Sequence, residues 1–153
     1  LYPARNTEDL QKVFLLGMGK TTGAGDTLKN FRSFFHRHKS RLPRHVAVDF
    51  TRVENPAPRL LEAAANGALA GGYNLALYKT EDNGKSVFFA EASTLDFVVP
   101  ENARHLAEAA VRRGQATAET QLRVMNLGNA PSNYKNPQTL ADWAVESGNQ
   151  FGY

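Results

Sequence analysis

The sequence contains no cysteine. That single absence excludes disulfides, thiolate metal sites and cysteine nucleophiles together, and it suits a reducing compartment. Long hydrophobic runs are also missing: nothing approaches the ~18 consecutive apolar residues of a membrane-spanning helix, so a soluble protein is expected. There is no internal repeat and no low-complexity tract. A large excess of one charge sign is absent too, since 18 basic and 15 acidic residues leave a net charge of only +3. What is present, 153 residues with 42% hydrophobic and 22% charged side chains, is enough for one globular domain with a real core.

The chain opens its ordered pattern at Lys12–Lys20, where Val13, Phe14, Leu15 and Leu16 run into a turn carrying Gly17, Gly19, Gly23 and Gly25. An apolar run of that length, punctuated by glycine, reads as a strand buried on both faces. Asp26 then offers an N-cap, and Leu28, Phe31 and Phe35 recur at helical spacing through residues 27–40 until Leu42-Pro43. His45–Phe50 reads as a second strand, so strand, helix and strand suggest a parallel crossover. Pro56 and Pro58 open a helix with two stripes, Leu60, Ala64, Ala68 and Leu61, Ala65, Leu69, which Gly71-Gly72 ends. Asn83-Gly84 marks a turn before a strand over Lys85–Glu91. Pro100 introduces a long helix from Glu101 to about Leu127, roughly 40 Å in length, of the kind that bridges two domains. A turn-rich stretch to Pro137 leads to a short helix that begins over Thr139–Ser147 and stops with the chain at Tyr153.

Several motifs invite chemistry. Gly17-Met18-Gly19-Lys20-Thr21 imitates the end of a phosphate loop, but Phe14 stands where the first glycine is required, so a plain turn is the better reading. His36 and His38 would lie about 200° apart on a helix and cannot share an ion there. No glycine pattern of a nucleophile elbow surrounds any serine. The least ordinary feature is the basic cluster over positions 29–45: Lys29, Arg32, His36 and Lys39 would line one side of the first helix, away from Phe31 and Phe34. Such a stripe is ordinarily a solvated face, and the alternative is a phosphate-contact surface for DNA.

In three places the sequence resembles the leucyl (cytosol) aminopeptidases. Val13–Lys20 is similar to the family's apolar strand ending in Gly-x-Gly-Lys. Ala64–Lys79 is similar to its glycine-containing helix leading to Tyr and Tyr-Lys. Leu127-Gly128-Asn129-Ala130-Pro131-Ser132-Asn133 through Pro137, Leu140 and Ala141 matches Leu-x-Asn-x-Pro-x-Asn-x-x-x-Pro-x-x-Leu-Ala. Met125 departs from the arginine that members commonly carry.

The resemblance implies an α/β fold, three-layer α/β/α with a mixed, largely parallel sheet, like that of the ADP-ribose-binding macro domains. It implies a non-catalytic N-terminal domain at 1–99 lacking its first strands, an interdomain helix at 100–127, and the start of a truncated catalytic domain at 128–153. The full-length protein would be a cytoplasmic, hexameric metallo-aminopeptidase acting on peptide substrates. Its two divalent metal ions, Zn or Mn, would be bound in the missing catalytic domain, with no catalytic, cofactor or metal residue in this segment, which alone should be inactive. The competing expectation is a stand-alone binding module for DNA or an ADP-ribose-like ligand.

Overall fold

The computed structural model describes residues 12–19, 23–53, 56–74, 88–89 and 92–153. Helix α1 spans Ala24–His38, strand β1 His45–Asp49, helix α2 Pro58–Ala70 and strand β2 Thr94–Val98. A single 3-10 turn at Glu101–Ala103 leads into α3, Arg104–Asn129, and α4 covers Pro137–Phe151. The class is α/β, as expected from the sequence. The parallel crossover, however, joins different elements: β1 and β2 pair in parallel, in register from His45 with Thr94 to Asp49 with Val98, and α2 lies between them in the chain. Backbone bonds from Thr94 to Arg44 and from Phe50 to Val98 extend the ladder at either end.

The first expected strand does not form. Residues 12–19 carry no strand or helix, and Val13 and Leu15 are 61% and 78% exposed, so this run is not buried on both faces. Phe14, Leu16 and Met18 nevertheless pack against the core. The apolar run thus supplies burial on alternate residues. A strand also needs a neighbour's hydrogen-bond ladder, and among the described residues the backbone of 12–19 has none. Of the strand expected at 85–91, only Phe88 and Phe89 lie within the described residues, where they sit in a turn. The Asn83-Gly84 turn and Lys20–Thr22 lie outside them. The strand that does form, β2, was not anticipated.

Helix α1 begins at Ala24, ahead of the expected Asp26 cap, because Gly23 takes the N-cap position and accepts from both the amide and the hydroxyl of Thr27 at 3.0 Å. Asp26 falls instead within the first turn, where its charge complements the helix dipole. Three close approaches then set the helices side by side. A Cβ placed on Gly67 would meet the Phe31 Cβ at 3.0 Å, one on Gly71 the Phe35 Cβ at 2.7 Å, and one on Gly114 the Ala65 Cβ at 2.9 Å. Since later glycines in α2 meet later residues of α1, the two helices run in the same direction. α3 follows suit: Gly114 meets Ala65, while Leu122 and Asn126 share a cleft with Leu69 and Gly72.

The core lies between these helices and one face of the sheet. Phe31 stacks on Phe50 at 6.2 Å, Phe50 on Phe97 at 5.9 Å, and Phe35 meets Phe88 at 5.3 Å. Val46, Val48, Leu95 and Phe97 point into this core, whereas His45, Ala47, Asp49, Thr94, Asp96 and Val98 are exposed. The described residues therefore form two layers, with helices on one face only. The alternation His-Val-Ala-Val-Asp explains why: each strand has an apolar inner side and a mostly polar outer side.

Candidate functional site at the α3–α4 junction

Helix α3 belongs to two environments. Its first half buries Ala107, Ala110, Gly114 and Ala118 against the α/β unit, and Arg113 reaches Glu62 of α2 at 3.1 Å. After Ala118 it buries no further residue and runs out past a cleft of about 310 Å3 lined by Leu69, Gly72, Tyr73, Leu122 and Asn126. The end of the helix is tied back by Asn129, whose Nδ2 donates to the Tyr73 hydroxyl at 2.8 Å.

The motif that follows is spent largely on its own backbone. Ala130 takes an extended conformation as C-cap, and Pro131 cannot continue a helix. The Pro131 carbonyl accepts from the amides of Tyr134 and Lys135, both at 2.9 Å, closing a turn. Lys135 Nζ donates to the Gly128 carbonyl at 2.8 Å, placing a cation at the electronegative end of α3. Asn136 and Thr139 form a reciprocal capping box, with Pro137 in the first helical turn. Helix α4 then passes through Gly148 and stops at Gly152, which adopts the left-handed conformation at φ 76°. The helix expected to begin at Thr139 therefore starts two residues earlier, at Pro137, and ends at Phe151, just before the expected stop at Tyr153.

Helix α4 is amphipathic. At 100° per residue Leu140, Trp143, Ala144, Ser147 and Phe151 share one side, with Asp142, Glu146 and Asn149 opposite. Yet α4 has no buried residue. Arg123 of α3 reaches it, donating from Nη1 to Gln150 Oε1 at 2.8 Å with its guanidinium 5.1 Å from the Phe151 ring centre. The contacts of Tyr73, Arg123 and Lys135 were not read from the sequence. Their roles depend on partners brought together by folding, and nothing local marks an exposed Arg or Lys as a clasp.

The basic stripe is laid out along one edge of α1. Lys29 and Arg32 are exposed, and Lys39 is half-buried as the C-cap residue. His36 is otherwise occupied: its Nδ1 lies 3.3 Å from the Gly71 carbonyl, at the end of α2. The backbone of Arg32 faces the close approach of Gly67 and Gly71, so the stripe borders the α1–α2 contact. His38 packs instead against Phe34 and Phe14, with ring centres 4.9 and 5.6 Å away, so the two histidines attend to different neighbours. His45 Nδ1 sits 2.9 Å from the Thr94 hydroxyl across the sheet. Asp49, just beyond, has its carboxyl held below the usual range by the Thr51 hydroxyl, then by the Thr51 amide and by Arg52.

Among the described residues no three His, Asp or Glu side chains lie close enough together to hold a metal ion. The paired metals implied by the resemblance thus find no fitting donor set there. No helix among the described residues is long and apolar enough to cross a membrane.

The fold and junction define a class: a parallel α/β crossover unit that ends in a helical arm. No protein-family model matches the chain, and no solved structure matches it. Curated relatives do. A "Probable cytosol aminopeptidase" of Aromatoleum aromaticum (strain DSM 19018 / LMG 30748 / EbN1) is 37% identical over 152 residues, covering 92% of this chain and 29% of that protein. One of the same name from Alkaliphilus oremlandii (strain OhILAs) is 28% identical over 148 residues, covering 93% of this chain and 29% of that protein. A third, from Azoarcus sp. (strain BH72), reaches 52% identity over a 46-residue stretch. By sequence the chain belongs to the cytosol aminopeptidase family. It spans less than a third of the length of the relatives it matches.

Proposed function

We propose that this chain is the non-catalytic N-terminal portion of a metal-dependent cytosol aminopeptidase. In this reading residues 1–99 form the supporting α/β domain, 100–127 the helix leading out of it, and 128–153 the entry to a catalytic domain. The observation that carries the proposal is the junction. Its family-like residues Asn129, Pro131 and Pro137 shape the exit of α3 and the start of α4, while Leu140, Trp143 and Phe151 remain 39%, 37% and 58% exposed. Apolar residues repeated on one side of a helix are normally covered. The cover is the catalytic domain of the same polypeptide, in keeping with relatives more than three times as long.

The role of the segment is then structural, acting through assembly of a cytoplasmic hexamer and access of peptides to its enclosed sites. The two divalent ions belong to the catalytic domain, and no catalytic step is assigned to residues of this chain. Translating the gene past Tyr153 tests the reading directly: a domain rich in paired Asp and Glu metal motifs is expected, and an immediate stop codon would sink it. Assayed alone with Zn2+ or Mn2+, the 153-residue chain should release no amino acid from a leucyl peptide. Steady turnover that survives repurification would overturn the proposal.

The exposure of Lys29 and Arg32 favours one second reading, a DNA-contact surface. It requires salt-sensitive retention of duplex DNA that is lost in Lys29→Ala/Arg32→Ala. Retention equal to that of the parent chain, or no retention by either, removes it.

A further inference from the structure

Helix α4 is joined covalently to α3 through a well-bonded turn, yet along its length no residue is fully buried. Isolated helices of 15 residues are marginal in water, so a helix of this length needs an outside contact to persist in one pose. Its two ends are treated differently. The N-terminal end has the capping box and the Lys135 bond to Gly128. The C-terminal end meets α3 at Arg123, whose guanidinium donates to Gln150 and lies over the Phe151 ring.

We infer that Arg123 is a clasp that holds α4 in a closed pose against α3, and that release of this one side chain frees the arm to swing or fray about the 131–136 turn. The chemistry suits a reversible contact. Gln150 is neutral and Phe151 is a ring, so the clasp contains no ion pair and is only weakly sensitive to salt. Phe151 shares the apolar side of α4 with Leu140 and Trp143, so the clasp occupies the far end of the same side that a covering domain would take. This inference goes beyond the aminopeptidase reading and does not depend on it, because it concerns two helices that are both in hand.

Hydrogen–deuterium exchange on the 153-residue chain reads the two regions separately. Arg123→Ala should speed exchange of the last turns of α4 by roughly five- to tenfold, the effect of losing an exposed cation–π contact and one hydrogen bond, while α2 exchanges as before. Arg123→Lys keeps a cation near Phe151 but loses the planar fork, and should fall between the two. Trp143, the only tryptophan in the sequence, gives an independent signal: acrylamide quenching should rise in Arg123→Ala. Unchanged α4 exchange in Arg123→Ala would overturn the clasp. So would an equal acceleration of α2 and α4, which would make Arg123 a support of the whole fold.

Discussion

Helices α2 and α4 are nearly equal in length and opposite in fate. The first buries Leu61, Ala63, Ala64, Ala65, Asn66, Gly67 and Ala68, almost all of them small, while the second has no fully buried residue although it carries Leu140, Trp143, Val145 and Phe151. Hydrophobic content does not decide which helix is inside. What decides it is neighbours on more than one side: α2 is flanked by α1 through Gly67 and Gly71 and by α3 through Gly114, over a core of phenylalanines. Small residues let three backbones converge there, and each missing Cβ is filled by a neighbouring helix. α4 has one flank, at the outlying end of α3.

The largest expected effect attacks the crowded side of that contrast. Gly114→Val would drive a branched side chain into the Glu62 carbonyl and the Ala65 Cβ, both backed by rigid helix. A loss of about 3 kcal/mol is expected, at the upper end for overpacking, or failure to fold. Urea denaturation followed by circular dichroism measures it. Gly128→Val, where an added Cβ meets nothing within 4 Å, is the control and should cost less than about 1 kcal/mol. Equal effects at the two sites would mean that the α2–α3 contact is looser than its geometry.

The same contrast accounts for what could be read in the sequence. α2 and α3 were legible because their signals are local: prolines at the start, glycines at the end of α2, and alanine stripes at helical spacing between. The first strand was misread because an apolar run reports burial but not pairing. Phe14, Leu16 and Met18 reach the core without a ladder, and the strand that does pair, Thr94–Val98, is a short alternation that the Phe88–Phe89 pair upstream overshadowed. The junction motif was legible as punctuation, yet Tyr73 lies 56 residues from Asn129 and Arg123 27 from Gln150, separations over which no periodicity carries information. Glycine at 148 does not end α4: its carbonyl accepts from the Gly152 amide, and the helix ends only there.

A middle-sized effect sharpens the comparison at the start of α4. Asn136→Ala removes the side chain that accepts from the Thr139 amide at 3.0 Å, and loss of such a cap costs about 1 kcal/mol. Because α4 is not part of the core, the cost should appear as faster amide exchange in its first turns, with the denaturation midpoint of the α/β unit unchanged. A midpoint shift matching the full cap energy would show that α4 folds as one unit with α2 after all.

The smallest effect is the most telling for function. Trp143→Ser on the open side of α4 should change the stability of the α/β unit little, by less than about 1 kcal/mol, since α4 has no fully buried residue and lies outside the core. Leu61→Ala, at a position 1% exposed in α2, should cost about 3 kcal/mol in the same assay. In a polypeptide of the relatives' length the inequality should shrink: if a catalytic domain covers α4, Trp143→Ser then removes a buried contact and weakens the junction of the two domains. Differential scanning calorimetry of the long and short chains makes the comparison. A Trp143→Ser cost that stays near zero in the long chain would mean that α4 lies open even there, and the proposed cover would have to sit elsewhere.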